Sequence, residues 1–313
     1  MSQHQLSSGD VVTDRRADYA RMLAENDDPG AAAELMEQAL ERAQHWATGW
    51  FRLGEYREKA GNRDGAVAAY RQVLDLGGED IFGAGLKLVL LGAAGLPDEP
   101  SRHYVERLFD DYAERFEKSL VERLEYEVPR RLAGIIERET AGRRFACTVD
   151  LGCGTGLFGT VIRTQTARLE GFDISTRMLA KAAQKNIYDH LARGDLSLVA
   201  DASGLFGEDR VRRRADLVGA ADVLNYLGHL SGVFAIVDEL IAAGGLFAFS
   251  IEDSGTPDGF HLGVGMRFAH SETYVRGMCG GYGFDVRAVE RTVLRKDGGK
   301  PVSGLLFLAE KRG

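Results

Sequence analysis

"VDLGCGTGLFG", residues 149 to 159, places four glycines directly behind an acid at the end of an apolar run. The run itself, "FACTVDL", has the apolar and β-branched make-up of a buried strand. Glycines at a strand end let the backbone take turns that other residues resist and bring the main chain close to a ligand. Residues 154–159, "GTGLFG", fit G-x-G-x-x-G, a pattern that alone separates few functions.

The sequence around this loop sets its context. From residue 141 onward, "FACTVDL", "RLEGFDI", "LSLVADA", "ADLVGAA" and "GGLFAFSI" read as strands. Helical stretches separate them, among them "TRMLAKAAQKNIYDHL" and "GVFAIVDELIAA". Such alternation predicts a parallel, doubly wound α/β sheet. The chain closes with "FDVRAVERTVLR", a "KDGGKP" turn and "SGLLFLAEK", which predict an antiparallel hairpin. In an open sheet of this class, ligands lie beyond the C-terminal strand ends, where strand order reverses.

Two ligands compete for the loop. A dinucleotide such as NAD would present a pyrophosphate to it, and Asp173, ending the next strand, stands near where a ribose-binding acid belongs. Asp150, immediately before the loop, would repel that pyrophosphate. S-adenosylmethionine carries no phosphate, and its sulfonium and ammonium groups favour a carboxylate there. The glycine phase agrees. Counted from the strand end, the pattern is D-x-G-x-G-x-G at Asp150, Gly152, Gly154 and Gly156. A dinucleotide loop starting on Gly152 would need glycine at 157, where Leu157 stands.

With these residues the chain resembles the class I S-adenosylmethionine-dependent methyltransferases over roughly 141 to 313. "VDLGCGTG" is similar to their first motif, which implies cofactor contacts from Asp150, Gly152, Cys153, Gly154 and Gly156. "LEGFDIS" with "RMLAKA" resembles the second, implying that Asp173 grips the ribose hydroxyls beside Ile174, with Met178 along the adenine. "LVADASGL" resembles the third, in which the acid meets the adenine amino group. That assigns Asp201 with Ala202, and Asp195 in "ARGD" is its rival. "ADLVGAADVLNYLGHL" resembles the fourth strand and the loop facing the methyl group, with the small Ala220 and Ala221 leaving room there. Together with "FAHSETYV" and "VSGLLF", the chain resembles bacterial predicted methyltransferases that carry an N-terminal tetratricopeptide region.

Methyl transfer depends mostly on aligning a nucleophile with the methyl group. A base is needed only for a protonated, weak nucleophile. Candidates for this side are Asn225, Tyr226 and His229, then Arg267 and His270 in "RFAHSETY". His270 and Tyr226 are the candidate catalytic residues, and Asn225, Arg267 and Tyr104 the candidate acceptor contacts. Arg267 would suit an anionic acceptor. Tyr112 and Phe116, on "SRHYVERLFDDYAERFEKSL", are candidates for a lid that excludes water.

The N-terminal residues carry a different signal. Trp50, Leu53 and Gly54, then Ala66 and Tyr70, fall at tetratricopeptide positions. An offset of 34 residues puts Tyr19, Ala20, Ala32, Met36 and Leu40 at the equivalents of Leu53, Gly54, Ala66, Tyr70 and Leu74. "ENDDPG" and "AGNRDG" supply turns, and "GLPDEPS" (95–101) reads as a linker. The expected division is a helical repeat domain over 1–95, linker and lid helices over 96–140, and a methyltransferase domain over 141–313 with a seven-stranded sheet.

The composition bounds the remaining possibilities. The chain has 313 residues, 44% hydrophobic, and a net charge of -8, which argues against a nucleic-acid partner. The basic cluster at Arg210, Arg212, Arg213 and Arg214 reads as a solvated loop. Three cysteines, Cys147, Cys153 and Cys279, without a C-x-x-C pair, give neither a disulfide framework nor a metal site. The polar start and the short apolar runs predict no signal peptide and no membrane span, hence a cytoplasmic protein. The expected activity is methyl transfer from S-adenosylmethionine, with S-adenosylhomocysteine as product, to a small-molecule or protein acceptor. An NAD-dependent oxidoreductase and a non-catalytic repeat adaptor are the alternatives.

Overall fold

The computed structural model describes residues 6–97, 102–114 and 126–313. The chain forms two compact units, Met1–Tyr104 and Val105–Gly313.

The first unit is helical: α1 (Val11–Glu25), α2 (Pro29–Leu40), α3 (Ala47–Lys59), α4 (Arg63–Asp75) and α5 (Ala84–Leu90). Side chains cap three of these helices. Asp10 accepts from Val12 N, Asp28 from Ala31 N and Asn62 from Gly65 N, each satisfying a free N–H of the first turn. Pro29 opens α2, where its missing N–H costs nothing. Small residues permit the close helix approach. Ala20, Ala32 and Ala66 are fully buried, and a Cβ on Gly54 would stand 2.4 Å from the Tyr70 ring. The offset pairing fails at two positions. Leu53 is buried but Tyr19 is 63% exposed, and Leu40 is buried but Leu74 is exposed.

The chain continues through α6 (Arg102–Tyr112), which spans the boundary between the units, to α7 (Val128–Thr140). Next come β1 (Phe145–Leu151), α8 (Leu157–Ile162), β2 (Thr166–Asp173), α9 (Thr176–Gln184) and β3 (His190–Arg193). They are followed by β4 (Ala215–Ala220), α10 (Ser231–Leu240), β5 (Ile241–Asp253), β6 (Phe260–Leu262) and β7 (Phe268–His270). The last elements are α11 (Glu272–Gly281), β8 (Phe284–Asp297) and β9 (Lys300–Lys311).

One sheet carries the order β3-β2-β1-β4-β5, parallel throughout. β9 adds antiparallel to β5, and β8 to β9. Gly298 and Gly299, at φ of 53° and 80°, make the two-residue turn between β8 and β9 that right-twisted hairpins favour. β5 shows the two-residue period of a strand covered on both faces. Phe247, Phe249 and Ile251 enter one core cluster, and Leu246 and Ala248 the other. Strand order reverses at β1 and β4, so the site is expected at their C-terminal ends.

The structure corrects four sequence expectations. The helix read over 176–191 stops at Gln184, and Asn186 then takes φ 52°, a left-handed value that asparagine tolerates. The third strand is therefore His190–Arg193, and "LSLVADA" forms no strand. Residues 241–243, read as the end of a helix, begin β5 instead. An unexpected pair, β6 and β7, joins the sheet where Glu252 and Asp253 of β5 meet Ala269 and His270. The basic cluster is more than a solvated loop. Arg214 is nearly buried against Glu170 at 2.7 Å, and Arg212 pairs with Asp201 and Glu239. No helix among the described residues is long and apolar enough to cross a membrane.

Candidate cofactor and acceptor site

The glycine loop leaves β1 at Leu151 and enters α8 at Leu157. Gly152, Gly154 and Gly156 take φ of 59°, 54° and 89°, the left-handed region that glycine enters freely. A Cβ on Gly152 would lie 2.5 Å from the Val223 side chain, so the loop and the segment after β4 pack without room for one. Cys153 is buried, and its N–H donates to Phe172 O at 2.9 Å, tying the loop to β2.

Two acids flank this loop. Asp173 ends β2. Its Oδ2 accepts from Gly154 N and its Oδ1 from Ser175 N, both at 2.8 Å. Asp150, one residue before the end of β1, accepts from the Tyr188 hydroxyl at 2.7 Å. Burial pushes Asp150 up to about 7, with Asp173 adding to the rise, and Asp173 up to about 6. The hydrogen-bond donors reaching these carboxylates are neutral. With no cationic donor on them among the described residues, the two buried acids leave negative potential at the loop, which fits a ligand carrying a sulfonium and an ammonium and opposes a pyrophosphate.

Ile174 follows Asp173 and is half-buried, while Met178 on α9 is fully buried. The shift of the third strand separates its two candidate acids. Asp195 lies two residues beyond β3 and is buried, its Oδ1 accepting from Ser197 N at 3.0 Å and Ser197 Oγ at 2.6 Å. Asp201 is exposed and ion-paired with Arg212, and Ala202 beside it is also exposed.

The 105–112 part of α6 reaches these strand ends. Asp110 accepts from Ser175 Oγ at 2.6 Å, Glu106 pairs with Arg193 at 2.8 Å, and the Phe109 ring meets Tyr226 edge-on at 5.0 Å. Tyr112 is half-buried at the end of this helix. Phe116 lies outside the described residues. Tyr104 is buried in the first unit, where a Cβ on Gly83 would stand 3.1 Å from its ring.

Beyond β4 the chemistry changes. Ala220 is buried at the strand end, and Asp222 follows at φ 61° with its N–H donating to Ser250 Oγ. Arg295 of β8, almost fully buried, holds both Asp222 and Glu252. Asn225 donates to Glu252 Oε1 at 3.3 Å, and its buried Oδ1 has no hydrogen-bond partner among the described residues. Arg267 bonds Glu252 at 3.0 Å and also holds Asp297. With two carboxylates on it, Arg267 has little charge left for an anionic acceptor. Burial, reinforced by Asp222, raises the Tyr226 phenol and keeps it protonated.

His270 does not resemble a base poised near neutral pH. It is fully buried on β7 between the Phe260 and Tyr274 rings, with Nε2 2.9 Å from Gly228 O. Burial lowers it to about 4. A neutral imidazole donating to Gly228 O supports the loop after β4. His229 is exposed. Sequence reading missed Asp222, which lies inside the fourth motif without a role given to it, and Glu252 and Arg295, which no motif marks. It also missed Tyr188, whose contacts with Gly156, Gly159 and Gly171 form only in the fold.

The Methyltransferase domain family matches residues 149–247. Malonyl-[acyl-carrier protein] O-methyltransferase of Enterobacter lignolyticus (strain SCF1) is 28% identical over 108 residues, 34% of this chain and 39% of that protein. The chain thus spans about two fifths of that curated relative's length. Among solved structures, 1,6-didemethyltoxoflavin-N1-methyltransferase of Burkholderia thailandensis, with S-adenosylhomocysteine bound, superposes with a TM-score of 0.52 at 16% identity. That likeness covers 70% of this chain and 94% of the other. Magnesium protoporphyrin IX methyltransferase of Synechocystis PCC 6803, with S-adenosylmethionine bound, gives 0.48 at 18% identity over 70% and 99% of the chains.

Residues 149–247 are a methyltransferase domain. A domain of this family is an enzyme's domain. The sheet around it, parallel with an antiparallel closing hairpin, shares the fold of the Burkholderia enzyme.

Proposed function

We propose that the protein transfers a methyl group from S-adenosylmethionine to a small-molecule or protein acceptor. The observation that carries this reading is the pair of buried acids, Asp150 and Asp173, beside a left-handed glycine loop, with neutral donors alone on them among the described residues. When bound, the cofactor supplies an electrophilic methyl group.

In this reading Asp173 takes the ribose hydroxyls, and Asp150 faces the methionine end. The backbone of Gly152, Cys153, Gly154 and Gly156 lines the cofactor, and Ile174 and Met178 wall the adenine. Asp195 takes the adenine amino group in place of Asp201, because it is the buried acid beside the third strand. Ala220 leaves space for the methyl group, and α6 with Tyr112 shields it from water.

On the acceptor side, Asn225 and Tyr226 orient the nucleophile. Asn225 Oδ1 accepts a hydrogen bond from it, and the Tyr226 hydroxyl is a neutral donor. Alignment of the nucleophile with the methyl group carries the rate. The first unit is a tetratricopeptide-like region that engages a protein partner, supported by the buried Ala20, Ala32, Gly54 and Ala66 positions.

Calorimetric titration with S-adenosylmethionine, S-adenosylhomocysteine and NAD tests this reading. Micromolar binding of the first two without NAD is expected. Binding of NAD alone would make the chain a redox enzyme.

A further inference from the structure

Tyr188 lies between α9 and β3, in a link that Arg163 pins by donating to Ile187 O at 3.1 Å and to Asp189 at 2.6 Å. The Asp189 carboxylate also accepts from Leu169 N at 2.7 Å. The link is therefore fixed to β2, and the Tyr188 ring turns inward from it.

Glycines surround the ring. A Cβ on Gly159 would stand 2.3 Å from the Tyr188 hydroxyl, on Gly171 2.8 Å from the ring, and on Gly156 3.0 Å from it. Sheet register explains where this space lies. Asp150 pairs with Gly171 of β2 on one side and Gly219 of β4 on the other. Registered partners in a parallel sheet point their side chains to one face. The Asp150 carboxylate therefore rises between two positions that contribute no side chain. Tyr188 fills the space over Gly171, and Phe158 fills the space over Gly219. The Tyr188 hydroxyl then meets Asp150 Oδ2 at 2.7 Å.

A ring that only filled space would need no hydroxyl. Phe158, on the β4 side, shows that a bare phenyl suffices there. Gly159 also lies inside α8, where glycine costs about 1 kcal/mol relative to alanine.

We propose that Tyr188 is a positioning residue of the cofactor site, its hydroxyl fixing the Asp150 carboxylate beside the glycine loop. Gly156, Gly159 and Gly171 are small so that its ring can reach this place. The inference rests on the reading of Asp150 as the contact of the cofactor's methionine end.

The consequence is a pH dependence. The groups facing Asp150 are Asp173 on β2, Cys153 in the loop, Tyr188, and Tyr126 ahead of α7. None of them is a cation, and Asp173 opposes ionisation of Asp150. The Tyr188 hydroxyl is the side chain that favours it, since a hydrogen bond to a carboxylate stabilises the charged form. Without that hydroxyl, Asp150 ionises at higher pH, and a cationic ligand binds well only there.

The test is calorimetric titration of wild type, Tyr188→Phe and Asp150→Asn with S-adenosylmethionine between pH 6 and 9, with thermal melts to confirm folding. Tyr188→Phe is expected to bind about tenfold more weakly at pH 7, with the deficit shrinking toward pH 9. Asp150→Asn is expected to bind weakly with a flat profile, unchanged when Tyr188→Phe is added. Wild-type affinity and profile in Tyr188→Phe would overturn the inference, as would an equal deficit at every pH, the mark of a packing role. Should Tyr188→Phe fail to fold, Asp150→Asn decides, and a wild-type pH profile there overturns the proposal. Absence of binding by wild type would instead remove the reading of the loop itself, and this inference with it.

Discussion

At the ends of β1 and β2, the donors to Asp150 and Asp173 among the described residues are a phenol and backbone N–H groups. At the ends of β4 and β5, Asp222 and Glu252 share Arg295, and Glu252 also holds Arg267. Both regions bury carboxylates, yet among the described residues only the second has cationic side chains on them. In the proposed reading, the first region is completed by a cation from outside. The second already holds its counter-charges, so charge attraction is a poor guide to its ligand. In the proposed reading, recognition there falls to neutral groups such as Asn225 Oδ1, which has no hydrogen-bond partner among the described residues.

The sharpest way to break this comparison is to unbalance the second region. Arg295→Ala leaves Asp222 and Glu252 buried without their shared cation. Such removal of one partner costs about 3–5 kcal/mol. Thermal melting should fall by roughly 10 °C. A shift of a degree or two would mean that water already reaches these carboxylates and that the network is not closed.

His270 offers a contrast of sign. Its folded-state value of about 4 lies below the ordinary 6.5, so the unfolded chain binds more protons between these limits. The stability His270 contributes is complete above pH 6.5 and is lost as pH falls toward 4. Asp150 and Asp173, raised above 3.8 to about 7 and about 6, act in the opposite direction and weaken the unliganded fold as pH rises through that range. His270→Gln should remove the acid-side loss, which amounts to about 2–3 kcal/mol by pH 4.5. Denaturant unfolding at pH 7 and pH 4.5 checks this, and equal losses in variant and wild type would show that His270 is not the group responsible.

In the first region, Asp173→Ala should weaken S-adenosylmethionine binding about 100-fold, the scale of two hydrogen bonds to a charged group. The fold should survive, because Asp173 lies at a strand end. Unchanged affinity would misplace the ribose and remove the asymmetry between the two regions.

This asymmetry also explains what the sequence disclosed. The glycine loop and the acids beside it were legible because glycine spacing and strand ends follow directly from backbone geometry. "FACTVDL" became β1 residue for residue, and "VPRRLAGIIERET" became α7. The acceptor half was assembled from residues remote in sequence, Asp222, Glu252, Arg267 and Arg295, which only the register of β5, β8 and β9 brings together. Arg267 seemed free for an anion because its partners lay 15 and 30 residues away. β6 and β7 span three residues each, too short for a periodic signal. The third strand was misread for a local reason. "LSLV" is more apolar than "HLAR", and apolar character was given more weight than position.

The misread strand leads to the smallest predicted effect. When "LSLVADA" is taken as the strand, Asp201 stands at its end; with His190–Arg193 as the strand, that place falls to Asp195. The two acids differ in surroundings as well as position. Asp195 is buried and oriented by Ser197 through its backbone N–H and hydroxyl, whereas Asp201 is exposed and held by Arg212. Exposed ion pairs contribute less than about 1 kcal/mol and do not orient a group for recognition. Asp195→Asn keeps an oxygen for Ser197 but can turn a donor amide toward the adenine amino group. It should weaken S-adenosylmethionine binding about three- to tenfold, one neutral hydrogen bond's worth. Asp201→Ala should leave the affinity within about twofold, as surface substitutions away from a site usually do. Calorimetric titration of the two variants side by side separates the assignments. A larger loss in Asp201→Ala would return the adenine to the segment around residue 201 and would require the 195–202 loop to reorganise when the cofactor binds.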